Sequence, residues 1–140
     1  MSIVVAYEPT PEAEAALVAA IEETSRRGGT LLIAHVVTTT VSEGRPPAKR
    51  TADGRQRAEE FVAAAVERAT EAGVEAQARL LSSQTGTASA LIELAQEQRV
   101  ELIVTGMRQR SAVGKLLMGS TSRDLILGAP CNVLCVRPPS

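Results

Sequence analysis

Apolar residues follow two rhythms along this chain. Ile3–Tyr7, Thr30–Val37, Leu102–Val104 and Asn132–Val136 are short, nearly continuous apolar runs rich in β-branched residues, the pattern of strands covered on both faces. Val74 to Leu81 instead alternates, with Val74, Ala76, Ala78 and Leu80 on one side, which predicts a half-exposed edge strand. Between these runs the apolar spacing changes to steps of three and four. Ala13, Ala16, Leu17, Ala20 and Ile21 form one stripe; Ala58, Phe61, Val62, Ala65, Val66 and Ala69 form a second; Leu91, Ile92, Leu94 and Ala95 form a third. A short fourth helix carries Leu125, Ile126 and Leu127.

Punctuation residues bound these elements. Thr10-Pro11-Glu12 is a helix start, with a capping hydroxyl, proline at the first helical position and acids in the first turn. Arg26 to Gly29 supply the cationic last turn and stop, and Gly73 ends the second helix. Thr87 or Ser89 is the predicted cap of the third, Thr121-x-x-Asp124 fits a capping box for the fourth, and Gly128-Ala129-Pro130 ends it. Residues 38–54, rich in Thr, Gly, Pro and basic side chains and without a helical period, read as a long flexible loop. Strand and helix alternate, giving five strands and an α/β fold, a single-domain, doubly wound parallel sheet with helices on both faces.

Composition narrows the function. With 140 residues and 44% hydrophobic content, the chain buries one sizeable core. A formal net charge of -1 provides no global field for nucleic acid or an anionic membrane, so any basic site is local. The first apolar run has no basic segment before it and is too short for a signal peptide or a spanning helix, so a cytoplasmic protein is expected. Cys131 and Cys135 lie four apart; in a strand their Cα atoms stand roughly 13 Å apart, beyond disulfide reach, and they read as buried thiols. His35, the single histidine, reads as a hydrogen-bonded strand residue, and no metal site is expected.

The stretch from Thr105 to Thr121 exceeds what a core requires. It leaves a buried strand, ends at a helix start, and between Gly106 and Arg123 carries Arg108, Arg110, Lys115 and Arg123 with no acidic residue. Backbone N–H groups in such a turn and at a helix N-terminus converge on an anion, and a bound phosphate would meet no local repulsion. It is not a Walker A loop, because around Gly114-Lys115 the first-glycine place holds Gln109 and the hydroxyl place holds Leu116. No dinucleotide fingerprint follows the first strand, which leads into Tyr7-Glu8-Pro9-Thr10-Pro11.

In this stretch the chain resembles the universal stress protein family. That family carries, after its fourth strand, a glycine, two residues, a second glycine, nine residues, and then glycine followed by serine or threonine. Gly106, Gly119 and Ser120 match, and Gln109 replaces the second glycine. The resemblance covers nearly the whole chain and implies strand order 3-2-1-4-5, which brings the loops after strands one and four to one crevice. It further implies adenine nucleotide binding, ATP or AMP with Mg²⁺ as a possible companion. Phosphates would lie at Gly106, Met107, Arg108, Gln109, Gly119, Ser120 and Thr121, the ribose at Glu8, where the nucleotide-binding branch has aspartate, and the adenine beside Ala6 and Val36. If Gln109 keeps the left-handed backbone of the glycine it replaces, it is strained. Two readings stay open: a regulatory nucleotide-binding protein, or a dimeric interaction protein with a degenerate crevice. An enzyme is not expected, since no acid pair or general base is evident near the loop. The last strand, 132–136, is an apolar edge without lysine or interior proline, and with the resemblance it predicts a homodimer.

Overall fold

The computed structural model describes residues 1–38, 47–109 and 116–138. The chain begins with β1 (Ser2–Ala6), α1 (Pro11–Arg27), β2 (Thr30–Thr38), α2 (Pro47–Glu71), β3 (Glu75–Ser83) and α3 (Thr87–Glu97). It continues through β4 (Leu102–Gly106), two short strands β5 (Arg108–Gln109) and β6 (Leu116–Leu117), then α4 (Ser120–Gly128) and β7 (Asn132–Val136). Five strands form one parallel sheet in the order β3-β2-β1-β4-β7, which is 3-2-1-4-5 counted along its own strands. The strand β5 pairs antiparallel with β6, an element absent from the sequence reading.

The alternation within each strand divides the core in two. Ile3, Val5, Leu31, Ile33, Leu102 and Val104 face α1 and α2, where they meet Ala16, Leu17, Ala20, Val62 and Ala65. Val4, Leu32, Ala34 and Ile103 face the other way, onto Leu91, Leu94, Ala95 and Leu125 of α3 and α4. Crossovers between parallel strands keep one hand. The chain moves outward from β1 to β3, then returns past β1 to β4, so the later helices must cover the opposite face. The order of strands reverses between β1 and β4, and there the C-terminal ends of the strands leave a gap.

Three local expectations are corrected. The 38–54 loop gives way at both ends, where β2 runs to Thr38, paired with Ser83, and α2 starts at Pro47, so that 47–54 are helix; residues 39–46 lie outside the described residues. Proline is suited to a helix start, and the residues up to Ala58 show no apolar stripe from which a helix could be read. Neither Thr87 nor Ser89 caps α3; Gly86 (φ 120°) is the cap, held by its N–H donating to the Ser83 hydroxyl at 3.0 Å. Gly119 takes the cap position of α4, without a side-chain bond, so Thr121 and Asp124 form no capping box. Other signals behave as expected. The Thr10 hydroxyl accepts from Ala13 N–H at 3.2 Å, and Gly28 ends α1 at φ 74°.

Edge and thiol readings also meet the structure. The edge strand β3 is half-exposed, with exposed and partly buried residues interspersed from Glu75 to Ser83, and β7 is half-buried along Val133 to Val136. Cys131 and Cys135 are free and only partly buried, and that burial raises both thiols above their ordinary range. No helix among the described residues is long and apolar enough to cross a membrane.

Candidate functional site

At the reversal point a crevice of about 160 Å³ opens between the ends of β1 and β4. Ala6, Glu8, Val36, Gly106, Arg108, Gly119, Ser120 and Thr121 all line it, so one cavity gathers residues from four separate stretches of sequence. Met107 does not line it; its N–H donates to the Val136 carbonyl at 2.8 Å and extends the β4–β7 ladder. Gln109 lies in β5, opposite Leu116. A strand backbone is extended, so the left-handed backbone that would strain Gln109 is not adopted there. Arg110 and Lys115 lie outside the described residues.

The two motif glycines do different jobs. A Cβ on Gly106 would stand 2.2 Å from the carbonyl oxygen of Glu12, so only glycine lets the end of β4 approach the first turn of α1. This contact closes one wall of the crevice. Gly119 has an ordinary extended backbone (φ -73°, ψ 166°), and a Cβ there would meet nothing within 4 Å. Neither left-handed geometry nor close packing requires glycine at 119. Lacking a capping side chain, it leaves the α4 N-terminus, with its partial positive charge, uncapped at the crevice.

Two hydroxyls complete this wall. Thr105 and Ser122 line the crevice at 5% and 4% exposure, and neither side chain has a hydrogen-bond partner among the described residues. Buried polar groups are nearly always satisfied, so two buried hydroxyls with no partner among the described residues, beside a helix N-terminus, are suited to a polar ligand. Ser122 escaped the sequence reading because its burial against the crevice is set by packing and leaves no signal in the local sequence.

The crevice also carries charge. Arg108 reaches Glu8 (Nη2–Oε1 3.7 Å) and Glu12 (Nε–Oε1 3.7 Å). The expectation of no acidic neighbour therefore fails in three dimensions: β1 and α1 bring two carboxylates to a loop that has none in its own sequence. These long, partly exposed pairs are each worth less than about 1 kcal/mol, so a phosphate can displace them. Glu8 and Glu12 are also the acid pair that the sequence did not reveal. Mg²⁺ takes one or two carboxylates together with substrate phosphates, and this pair fits such a role. No group of three or more His, Cys, Asp or Glu able to hold a metal occurs among the described residues.

Behind the crevice lies a polar brace. The Tyr7 hydroxyl donates to Glu14, and Arg68 of α2 donates to the same carboxylate. Burial, reinforced by the adjacent Glu14 carboxylate, pushes the Tyr7 phenol up to about 12. Burial also works to raise Glu14, but the bonds from Tyr7 and Arg68 and the Arg68 charge outweigh it and hold that carboxyl below its usual range. His35 Nδ1 donates to the Tyr7 carbonyl at 2.9 Å, and its ring meets Phe61 edge-on at 4.8 Å. The histidine is thus a hydrogen-bonded strand residue, as its sequence position suggested.

Comparison with known proteins agrees with this architecture. Residues 1–137 match the model of the universal stress protein family. A universal stress protein of Thermus aquaticus, named for its place in the 3′ region of a QAH/OAS sulfhydrylase, is 33% identical over 138 residues, covering 97% of this chain and 98% of that protein. The structure of a universal stress protein from Archaeoglobus fulgidus superposes with a TM-score of 0.76 at 28% identity, covering 96% of both chains. An Archaeoglobus fulgidus universal stress protein solved in complex with dAMP gives a TM-score of 0.67 at 22% identity, with 96% of this chain and 95% of that one covered.

Proposed function

The chain belongs to the universal stress protein family, and on that premise we propose that it is a regulatory protein that binds an adenine nucleotide in the crevice between β1 and β4. The observation that carries this reading is the pair of buried hydroxyls, Thr105 and Ser122, which have no hydrogen-bond partner among the described residues and lie beside the uncapped start of α4. Phosphate oxygens there would accept from the hydroxyls and from the free N–H groups of Ser120 and Thr121. Arg108 would exchange its carboxylate partners for phosphate. Glu8 would accept from ribose hydroxyls, and the small side chains of Ala6 and Val36 would leave room for the adenine ring. That a related protein holds dAMP supports the class of ligand.

Binding rather than catalysis is the proposed role. A hydrolytic step needs a base set against a nucleophile, and among the described residues no hydrogen bond joins His35 to a hydroxyl or thiol. A second copy is proposed to pair along the open side of β7, whose residues Val133 to Val136 remain half-buried in the single chain. Calorimetric titration of the purified protein with AMP and with Mg²⁺-ATP tests the proposal. Saturable binding of either, lost in Gly119→Asp, is the expected result; no heat from either at millimolar concentration would overturn it.

A further inference from the structure

We infer that Glu12, acting with Glu8, makes the crevice discriminate adenine ligands by phosphate charge, favouring a monophosphate over a triphosphate that carries no metal; this rests on the nucleotide site proposed above. Among the described lining residues the formal charges are two carboxylates and one guanidinium, a net charge of -1. Glu12 is the least adjustable of the three. Its side chain is 21% exposed, against 45% for Glu8 and 49% for Arg108, and its backbone is wedged against Gly106.

One guanidinium can serve one phosphoryl group in a paired, fork-like contact. A monophosphate brings a charge of about -1.5 to -2, most of which Arg108 and the partial positive charge of the α4 N-terminus offset, so the negative charge that remains is that of the two released carboxylates. Each further phosphate adds negative charge on a site where Arg108 has just released two carboxylates. A divalent cation reverses this. Mg²⁺ accepts carboxylate and phosphate oxygens together, so with the metal present Glu8 and Glu12 attract the longer polyphosphate instead of repelling it. Glu12 is a specificity residue on this account, and Arg108 is the counter-charge for which carboxylates and ligand compete.

The test is calorimetric affinity for AMP and for ATP, each with EDTA and with Mg²⁺, in the wild-type protein and in Glu12→Gln. The wild type should bind AMP more tightly than metal-free ATP by about tenfold, equivalent to roughly 1.4 kcal/mol, and Mg²⁺ should narrow that gap. Glu12→Gln should narrow the metal-free gap by about three- to fivefold, mainly by tightening ATP. If Glu12 served the helix alone, the variant would shift the melting temperature or both affinities together, and the AMP-to-ATP ratio would not change. An unchanged ratio overturns the inference while leaving nucleotide binding intact. So does metal-free ATP binding to the wild type as tightly as AMP, which would mean that the added charge is met from elsewhere on the chain. If neither protein binds either nucleotide under any condition, the nucleotide reading itself falls and this inference falls with it.

Discussion

The Cα of Gly106 and the carbonyl oxygen of Glu12 approach so closely that any Cβ at 106 would stand 2.2 Å from that oxygen. This contact joins the end of β4 to the first turn of α1, and it sets the width of the crevice. Gly106→Ala must push two backbone segments apart, as an overpacked core does, at a cost of about 1–3 kcal/mol. Urea unfolding should show a lower midpoint with an unchanged slope. A midpoint equal to the wild type would mean that the contact is looser than described.

Gly119 should behave in the opposite way. Its backbone is ordinary and its Cβ position is open, and aspartate is a better helix cap than glycine by a few tenths of about 1 kcal/mol. Gly119→Asp should therefore keep or slightly raise stability while placing a carboxylate where the phosphate would sit. Nucleotide affinity should fall by at least about a hundredfold, roughly 2.8 kcal/mol. Loss of binding with loss of fold would refute this assignment.

The single tyrosine makes the brace behind the crevice directly observable. Absorbance of the native protein should show ionisation only near pH 12, against an ordinary phenol value of 10.0. Between those values the unfolded chain has released its phenolic proton and the folded chain still holds it. The unfolded state binds fewer protons there, so stability present below about pH 10 is lost as pH rises towards 12, by up to about 2–3 kcal/mol. Tyr7→Phe should remove that alkaline dependence. At the acid end Glu14 acts with the opposite sign: its carboxyl is lowered in the folded state, so its contribution is present above the unfolded carboxylate value of 4.5 and is lost as pH falls through the folded one.

The proposed dimer can be tested through the backbone of β7. The Val136 carbonyl faces β4, where it accepts from Met107 N–H at 2.8 Å. Residues alternate sides along a strand, so the N–H of Cys135 faces outward. Cys135→Pro removes an outward donor while sparing the β4–β7 ladder, as proline on an edge strand can. Light scattering at micromolar concentration should report a dimer for the wild type and a monomer for the variant. A wild-type monomer would refute pairing through this edge.

Helix caps show where sequence reading reaches its limit. Thr10 was legible because Pro11 follows it and acids follow that, all within one turn. Thr87 and Thr121 carry equally suitable hydroxyls, yet Gly86 and Gly119 hold the cap positions. At α3 the chain enters through a local turn in which the Ser83 hydroxyl accepts from the Thr85 and Gly86 N–H groups, and this turn takes the place of a Thr87 cap worth about 1 kcal/mol. The start of α2 was missed for a related reason: without an apolar stripe before Ala58, its first turns have no periodicity to read.

By itself the sequence determined the five strands of the parallel sheet and the buried stripes of the four helices, because apolar spacing records which side of each element meets the core. It also carried the motif glycines, Ser120 and the Glu8 carboxylate, since these lie at the ends of legible elements. Only the tertiary structure decided what surrounds them. The parallel arrangement β3-β2-β1-β4-β7 brings Glu12 within reach of Arg108, and brings Thr105 and Ser122 to one crevice from either side of an intervening loop. It separates the two glycines by role, one wedged against backbone and one open to the crevice. Spacing along a chain encodes local direction, whereas charge balance and steric room in a crevice depend on groups that only packing brings together.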